Sequence, residues 1–336
     1  MIRIFGILSC VLFCVLGLHL KNSVAQGPAI SGPDPTVIAI SRDNNSANHC
    51  DYYAFVTGQG IPILHSNDLK TWRVIGRVFN QAVPEWARQE VPRSTGIWAP
   101  DVSYYQGRYY LYYAVSSFGS QRSVIGLAVN KTLDPASPDY QWIDCGKVIE
   151  SSPGTCDFNA IDPALFVDRD GKWYLFFGSF WSGIKAVELV PENGKPKPGD
   201  RIVSIAGRPD HPTHAIEAPF VVFRNGFYYL FASWDRCCDG AESDYKVVIG
   251  KAKHVLGPYV DRDGRPMLEG GGTVILSGDQ RWRGPGHNCV LMTEIGDWMI
   301  HHTYDMQNLD KHRILQVRPL TWTDDGWPRV GPPITE

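Results

Sequence analysis

Three carboxylates occur at similar points in separate segments of the chain. Asp34 and Asp162 each precede a proline directly, and Glu217 lies two residues before one. Asp162 and Glu217 each stand 11 residues before an aromatic run, at Trp173 and Tyr228. Hydrolysis of a glycosidic bond needs one carboxylic acid to protonate the leaving oxygen and one carboxylate to activate water or attack carbon. Three carboxylates in equivalent places would supply both groups and one more.

Two further residues share the spacing of 11 residues before an aromatic strand. Trp98 stands 11 residues before Tyr109, and His287 stands 11 residues before Trp298. Asp-Pro is a common turn dipeptide, and a lone histidine is usually structural, so none of these residues alone indicates a site. Equivalent positions in successive copies of one unit occupy equivalent places in space. The shared position therefore predicts that the carboxylates, Trp98 and His287 gather around one axis.

Each of these residues opens a segment with the pattern of a β-hairpin. "DPALFVDRDGKWYLFFGSF" and "EAPFVVFRNGFYYLFASW" both contain a β-branched or aromatic run, a Gly-containing turn and a second aromatic run. Later strands are predicted by "SVIGLAVN", "IKAVELV", "KVVIGKAKH" and "RILQVRPLTW". The five starts, at Asp34, Trp98, Asp162, Glu217 and His287, are 64, 64, 55 and 70 residues apart. This spacing leaves room for one four-stranded sheet per copy, so we predict an all-β, five-bladed β-propeller with the active site in a groove at the central axis.

Composition limits the possible partners. The chain has 336 residues, 43% of them hydrophobic, which is enough to bury a large core. Its 32 basic residues are interspersed among 35 acidic ones, for a net charge of −3. The sequence has no run of Lys and Arg of the kind that binds along a phosphate backbone. We therefore expect no nucleic-acid or membrane partner, and we expect a monomer that binds a polysaccharide.

The N-terminus has the pattern of a secretory signal. A short basic start precedes an apolar run from Ile4 to Leu18, and the small residues Ser23-Val24-Ala25 follow it. The alternative is a membrane anchor, but fifteen apolar residues are too few to span a bilayer comfortably. We predict a signal peptide at 1–25, a single propeller domain at 26–336, and a secreted or periplasmic protein.

Export would leave six cysteines in an oxidising compartment, where disulfides can form. Cys145 and Cys156 could close a short loop, and the adjacent Cys237 and Cys238 could form a bridge or remain two thiols. The pairing stays open. The absence of paired CxxC or HExxH spacing argues against a zinc site. The six are Cys50, Cys145, Cys156, Cys237, Cys238 and Cys289.

The segments resemble those of the endo-α-1,5-L-arabinanases of glycoside hydrolase family 43, which cut the arabinofuranose backbone of arabinan. The resemblance lies in "WAPDVSYYQGRYYLYYAVSSFGSQ", "FNAIDPALF", "GSFWSGI", "IEAPFVVFRNGFYYLFASWDRCC" and "GPGHN", and it covers Asp34 to Trp327. It implies single-displacement hydrolysis with inversion. By position, Asp34 resembles the general base, Glu217 the general acid, and Asp162 the carboxylate that orients the acid and raises its pKa.

The resemblance also implies ligand-binding roles. His287 resembles the ligand of a calcium ion that is held mostly by waters. Trp98 and Phe118 resemble aromatic walls of the sugar subsites, and Asn159 and Ser179 fall in motifs that bind substrate. For Phe118, packing between blades is nearly as plausible.

Other activities remain open at this stage. An exo-acting α-L-arabinofuranosidase or a β-xylosidase would use the same scaffold, because endo or exo action depends on the rim loops. A non-catalytic carbohydrate-binding propeller could lose any one carboxylate, whereas all three are present. The chain also has Pro33 before Asp34 where many relatives have histidine, so that imidazole cannot contact the substrate here.

Overall fold

The computed structural model describes residues 30–41, 50–308 and 312–334. These residues form twenty strands and one short α-helix, α1 (Glu85–Glu90), with 3-10 turns at Gly240–Glu242 and Met267–Glu269. The first and second blades contain β1 (Thr36–Ser41), β2 (Cys50–Phe55), β3 (Pro62–Ser66), β4 (Arg73–Arg77), β5 (Trp98–Tyr105), β6 (Arg108–Val115), β7 (Ser123–Asn130) and β8 (Ile143–Ser151). The third and fourth contain β9 (Ala164–Val167), β10 (Trp173–Phe177), β11 (Ile184–Leu189), β12 (Val203–Ala206), β13 (Ile216–Arg224), β14 (Phe227–Trp234), β15 (Lys246–Ala252) and β16 (Thr273–Leu276). The fifth contains β17 (Trp282–Thr293), β18 (Gly296–Asp305), β19 (Ile314–Trp322) and β20 (Pro328–Val330).

Each blade is a four-stranded antiparallel meander whose strands follow one another in chain order. The first strands of the blades form a ring of contacts, β1 with β5, β5 with β9, β9 with β13, β13 with β17, and β17 with β1. The predicted five-bladed β-propeller is confirmed. The four segments predicted as later strands are β7, β11, β15 and β19, the third strand of four blades.

Two tight turns show why the hairpins form where the sequence predicts them. Gln106-Gly107 and Asn225-Gly226 link the first two strands of blades 2 and 4, and all four residues have positive φ. Two consecutive positive φ values are typical of the hairpin turn whose twist matches that of the flanking strands, and Asn and Gly adopt them at low cost.

The core lies between the blades. Five buried apolar clusters occur among the described residues, and each joins two neighbouring blades. Trp173 of blade 3, for example, is fully buried and packs edge-on against Tyr105 and Tyr110 of blade 2, with ring centroids 5.1 and 4.8 Å apart. Such edge-to-face pairs add to the free energy gained by burial. Because each blade buries its faces only against its neighbours, the ring must close to be stable.

The two ends of the described chain meet where the ring closes. Ser31 forms an isolated β-bridge with Ile314. The amide of Gly32 donates to the carbonyl of Arg313 at 2.9 Å, and the amide of Leu315 donates to the carbonyl of Ile30 at 3.1 Å. This closure brings Arg313 beside the start of blade 1. The predicted signal peptide lies outside the described residues, and none of the helices in the described part is long and apolar enough to cross a membrane.

Candidate active site

An unusual backbone conformation recurs in every blade, close to the beginning of the first strand in blades 1 to 4 and within β17 in blade 5. One non-glycine residue there has a φ of 43 to 57°. Positive φ is rare for such residues, and a following proline disfavours helical backbone further. Backbone strain of this kind clusters at functional sites, where the surrounding structure enforces it. The five residues are Asp34, Ala99, Asp162, Ala218 and His287; the first four precede prolines and His287 precedes Asn288.

The spacing of 11 predicts that the five leading residues occupy equivalent positions in their blades, but the positive-φ residues show that they do not all do so. Trp98 and Glu217 lie one residue before the positive-φ position, whereas Asp34, Asp162 and His287 occupy it. The spacing misleads because the first turn differs in length: blade 4 turns over Asn225-Gly226, whereas blade 3 turns between Val167 and Trp173.

A β-bulge accounts for the extra residue at this position. In blades 2, 4 and 5 the register of the first two strands shifts at this point, between Trp98 and Asp101, between Glu217 and Phe220, and between Gly286 and Cys289. A bulge re-aims the side chain beside it. Trp98 and Glu217 therefore still reach the axis, and their counterpart in blade 5 is Gly286.

The positive-φ residues are fixed by hydrogen bonds between blades. In four cases the backbone amide lies within hydrogen-bonding distance of a side chain from the preceding blade, with blade 5 preceding blade 1. Through these four contacts, a side chain of blade 1, 3, 4 or 5 holds the backbone of the positive-φ residue in the blade that follows it. The pairs are Ala99 N with Thr57 Oγ1 (2.7 Å), Ala218 N with Asp162 Oδ2 (3.1 Å), His287 N with Ser233 Oγ (2.9 Å) and Asp34 N with His302 Nδ1 (3.1 Å).

A cleft of about 730 Å³ opens over these positions, and Asp34, Asp162, Glu217 and His287 all line it. The structure therefore brings together the four polar residues that the repeat spacing predicts. Their roles remain predictions, because position in a cleft does not assign a reaction.

Asp34 lies in a positively charged environment. Arg313 Nη1 donates to its Oδ1 at 3.0 Å, and Thr57 Oγ1 donates to its Oδ2 at 2.6 Å. His302 Nδ1 and His287 Nδ1 lie 3.1 and 3.5 Å from Oδ1. Burial alone would raise the pKa of Asp34, but the charge of Arg313, together with the imidazoles, holds the pKa well below its usual range. Asp34 is therefore ionised at neutral pH, as a general base must be.

Glu217 lies in a different environment. Ser179 Oγ donates to its Oε2 at 2.6 Å, and Tyr245 OH donates to its Oε1 at 2.8 Å. Burial raises the pKa of Glu217 in spite of these two hydrogen bonds, which favour the charged form, and the negative charge of Asp34 raises it further. A raised pKa keeps a carboxyl protonated closer to neutral pH, which suits a general acid.

Asp162 is coupled to Glu217. Its Oδ2 accepts the amide of Ala218, the residue that follows Glu217, at 3.1 Å. Burial, followed by the charge of Glu217 and then that of Asp34, raises the pKa of Asp162 well above its usual value. Since repulsion between two carboxylates is mutual, the Asp162–Glu217 pair retains a proton at a pH where isolated carboxyls have lost theirs.

We predict that Asp162→Asn moves the pH profile of hydrolysis. Replacing Asp162 removes the mutual repulsion that makes the Asp162–Glu217 pair retain a proton, so Glu217 alone loses its proton at lower pH. Activity should then fall earlier as pH rises, and the alkaline limb of kcat/KM should shift to lower pH with reduced activity at its maximum. The measurement is kcat/KM against pH for both proteins, with the exposed Asp170→Asn as the control. An unmoved alkaline limb would show that Asp162 does not influence the acid.

His287 is a neutral imidazole at neutral pH, because burial lowers its pKa to about 4. A neutral ring can bind a metal, but in the described part of the chain no three or more His, Cys, Asp or Glu side chains are grouped as they would be around an ion. Calcium takes six to eight oxygen ligands. The protein groups at His287 therefore do not form a calcium site by themselves, and an ion here would be held mostly by water.

The calcium assignment remains a prediction with a direct test. Elemental analysis of the untreated protein should detect calcium, and chelation should remove it and lower turnover. His287→Ala should lower the calcium content and turnover while the melting temperature stays close to that of the wild type. Full activity after chelation, with no ion in the untreated protein, would make the assignment wrong.

The predicted substrate-binding residues all line the cleft but differ in accessibility. Trp98 is half-buried, and Phe118 is 88% exposed at the rim, so packing between blades does not explain Phe118. Asn159 is buried and its Oδ1 accepts from Ser123 Oγ at 2.7 Å. Ser179 is buried and donates to Glu217, so its first contribution is to position the acid.

Four residues of the site are absent from the sequence prediction, namely Thr57, Tyr245, His302 and Arg313. Tyr245 donates to Glu217, and His302 contacts Asp34. The rings of Tyr245 and His302 stack with centroids 5.7 Å apart and planes at 12°, so the two halves of the site are in contact. Gly286 makes this possible, because a Cβ there would lie 2.1 Å from the Tyr245 ring. The spacing of the repeats gives no signal for these four, since none of them lies at the beginning of a first strand. Thr57 follows β2, His302 lies within β18, and Tyr245 and Arg313 directly precede β15 and β19.

The cysteine alternatives are resolved for the described residues. Cys237 and Cys238 form a disulfide between adjacent residues, and both line the cleft. Cys145 and Cys156 are not bridged, and Cys289 is also a free thiol.

The chain belongs to glycosyl hydrolase family 43, whose model matches residues 28–328. An extracellular exo-α-(1→5)-L-arabinofuranosidase from Cellvibrio japonicus is 42% identical over 83% of this chain and 82% of that protein. An extracellular endo-α-(1→5)-L-arabinanase from Bacillus subtilis is 40% identical over 88% of this chain and 86% of its own length. Among solved structures, a Cellvibrio cellulosa α-L-arabinanase complexed with arabinohexaose superposes with a TM-score of 0.83 at 38% identity, covering 90% of this chain and 96% of that one. The predicted family and glycosidase class are confirmed.

Proposed function

We propose that this protein is a secreted or periplasmic hydrolase that cleaves α-1,5-linked L-arabinofuranosyl bonds of arabinan with inversion. The observation that carries the proposal is the contrast between two carboxyls in one cleft. Asp34 is held ionised by Arg313, whereas burial and neighbouring charge raise the pKa of Glu217. Pairs of carboxyls whose environments separate their pKa values are typical of acid and base partners in glycoside hydrolysis.

Each residue then has a distinct role. Glu217, held by Ser179 and Tyr245, donates a proton to the oxygen of the leaving sugar as the glycosidic bond breaks. Asp34 accepts a proton from a water that attacks the anomeric carbon from the opposite face. Asp162 keeps the acid protonated and fixes its backbone through Ala218. The aromatic side chains of Trp98 and Phe118 offer surfaces for the apolar faces of furanose rings.

The arabinan substrate is supported by the printed activities of the two curated relatives, both of which act on α-(1→5)-linked arabinose. They differ in mode, and we propose endo action. A time course of products from debranched arabinan tests both statements. Early mixed oligomers are expected; release of arabinose or one short oligomer from the outset would instead indicate exo action, and no release would refute the arabinan proposal.

Exo action is the second candidate, because the Cellvibrio relative is named as exo-acting at 42% identity. A β-xylosidase would be detected with an aryl xyloside in the same assay. A purely carbohydrate-binding propeller is disfavoured, because all three carboxylates line the cleft.

Inversion predicts the configuration of the first product. If Asp34 activates water, its carboxyl should lie roughly 6.5–9.5 Å from that of Glu217, whereas a nucleophile would need about 5–5.5 Å. The product first formed from an α-linked arabinan should be the β-anomer, visible by NMR before mutarotation. An initial α-anomer, or a trapped glycosyl-enzyme on Asp34, would refute the base assignment.

A further inference from the structure

A disulfide between adjacent residues lies in the cleft wall beside the predicted base. Cys237 and Cys238 belong to the loop that joins β14 to β15. Cys237 Sγ lies 3.7 Å from Arg313 Nη1 and 3.8 Å from His302 Nε2. Both partners contact Asp34, so the disulfide lies on the Asp34 side of the bond to be cleaved.

The loop that carries the disulfide is held firmly at both ends. Asp235 forms ion pairs with Arg208 and Lys246, and Ser243 Oγ donates to the carbonyl of Arg236 at 2.7 Å. At the end of the same loop, Tyr245 OH donates to Glu217 Oε1. The disulfide is therefore a fixed part of the cleft wall. Cys238 is exposed, so a ligand in the cleft can contact it.

The chemistry of a disulfide contrasts with that of its surroundings. Arg313, His302 and Thr57 present donors and acceptors near Asp34, whereas a disulfide is neutral, has no hydrogen to donate and presents two polarisable sulfur atoms. Sugar sites combine a few oriented polar groups with apolar surfaces that contact the C–H faces of the ring. The disulfide is an apolar surface 3.7 Å from the Arg313 guanidinium and opposite to it in chemistry.

We propose that the Cys237–Cys238 disulfide forms the apolar wall of the sugar subsite beside Asp34 and contacts the C–H face of an arabinofuranosyl ring. The proposal rests on the proposed function and deepens it. Reduction by a phosphine and water would give two thiols and the phosphine oxide. The thiols would no longer be held side by side, and each would bring a weak donor to the wall.

Protection from reduction tests the contact directly. In the Glu217→Gln protein, bound arabinohexaose should slow reduction of the disulfide by a water-soluble phosphine. The rate of reduction is measured by labelling the thiols and analysing the peptide that contains both cysteines by mass spectrometry. Cellohexaose at the same concentration is the control and should not protect. Labelling of Cys145 and Cys156, which are free, reports any general change in accessibility. Equal reduction rates with arabinohexaose bound and absent would overturn the proposal.

Affinity provides the second measurement. Reduced Glu217→Gln protein should bind arabinohexaose about three- to tenfold more weakly than the oxidised protein by calorimetry, a change that lies within about 1.4 kcal/mol. Cys237→Ala/Cys238→Ala in the same background should bind as weakly and be insensitive to the phosphine. An unchanged Kd on reduction contradicts the proposal even if the double variant does not fold. Wild-type protein that hydrolyses arabinan while reduction changes neither rate nor Kd refutes only the subsite, whereas absence of both hydrolysis and binding refutes the proposed function.

Discussion

Glu217→Gln should lower hydrolysis of debranched arabinan by about 10²–10⁴-fold, the loss typical when a general acid is removed. An alkoxide of arabinose is a poor leaving group and needs the proton, whereas an activated phenolate leaves with little help. Activity on an aryl arabinoside with a good leaving group should therefore be spared in part. Glutamine keeps the shape of the side chain: its oxygen can accept from one of the two hydroxyls, Ser179 or Tyr245, and its NH2 can donate to the other, so the cleft should persist. The measurement is kcat/KM on both substrates.

A matched control is available in Glu188→Gln, because Glu188 is exposed on β11, away from the residues that line the cleft. It should leave both activities unchanged. Equal losses on the two substrates for Glu217→Gln would contradict the general-acid assignment, because the effect would then not depend on protonation of the leaving group.

The propeller could be predicted because its unit repeats. Hairpins recur at regular intervals, and their turn residues, such as Asn225-Gly226, are local signals that need no knowledge of distant contacts. The same regularity brings Asp34, Asp162, Glu217 and His287 to one axis. The repeat predicts which side chains converge, because every blade places the beginning of its first strand near the central axis.

The partners of these residues could not be predicted in this way. Arg313 and Asp34 are 279 residues apart, and they meet because the ring closes between blades 5 and 1. Tyr245 reaches Glu217 from a loop, over Gly286, whose missing side chain has meaning only once the two blades are placed together. Long-range pairs of this kind depend on the geometry of loops and on closure of the ring. Neither leaves a periodic pattern in the sequence.

The register within the blade also had to come from the structure. The spacing of 11 places Glu217 and His287 at one position, but the backbone places His287 with Ala218 and Glu217 with Gly286. Blades 4 and 5 have the same bulge and the same two-residue turn, so the spacing of 11 ends at Tyr228 in blade 4 but at the counterpart of Tyr229 in blade 5. Both positions are aromatic in blade 4, so the sequence pattern alone cannot distinguish them. The consequence is chemical: adjacent positions on one strand can supply both an acid and the amide that holds Asp162.

The second large effect is expected for Asp34→Asn, and its signature differs from that of Glu217→Gln. Water must be activated whatever the leaving group, so hydrolysis of arabinan and of the aryl arabinoside should fall alike, by about 10²–10⁴-fold. Asparagine retains an oxygen that can accept from Arg313, so the loss reflects the missing base more than an unpaired guanidinium. Thr57→Val is the matched control: it removes the hydrogen bond to Asp34 Oδ2 and the acceptor of the Ala99 amide but leaves the carboxylate, and it should cost far less. The measurement is kcat/KM on both substrates, with the melting temperature as a check on folding. A loss on arabinan alone would assign proton donation to Asp34 and reverse the two roles, since only the acid distinguishes a poor leaving group from a good one.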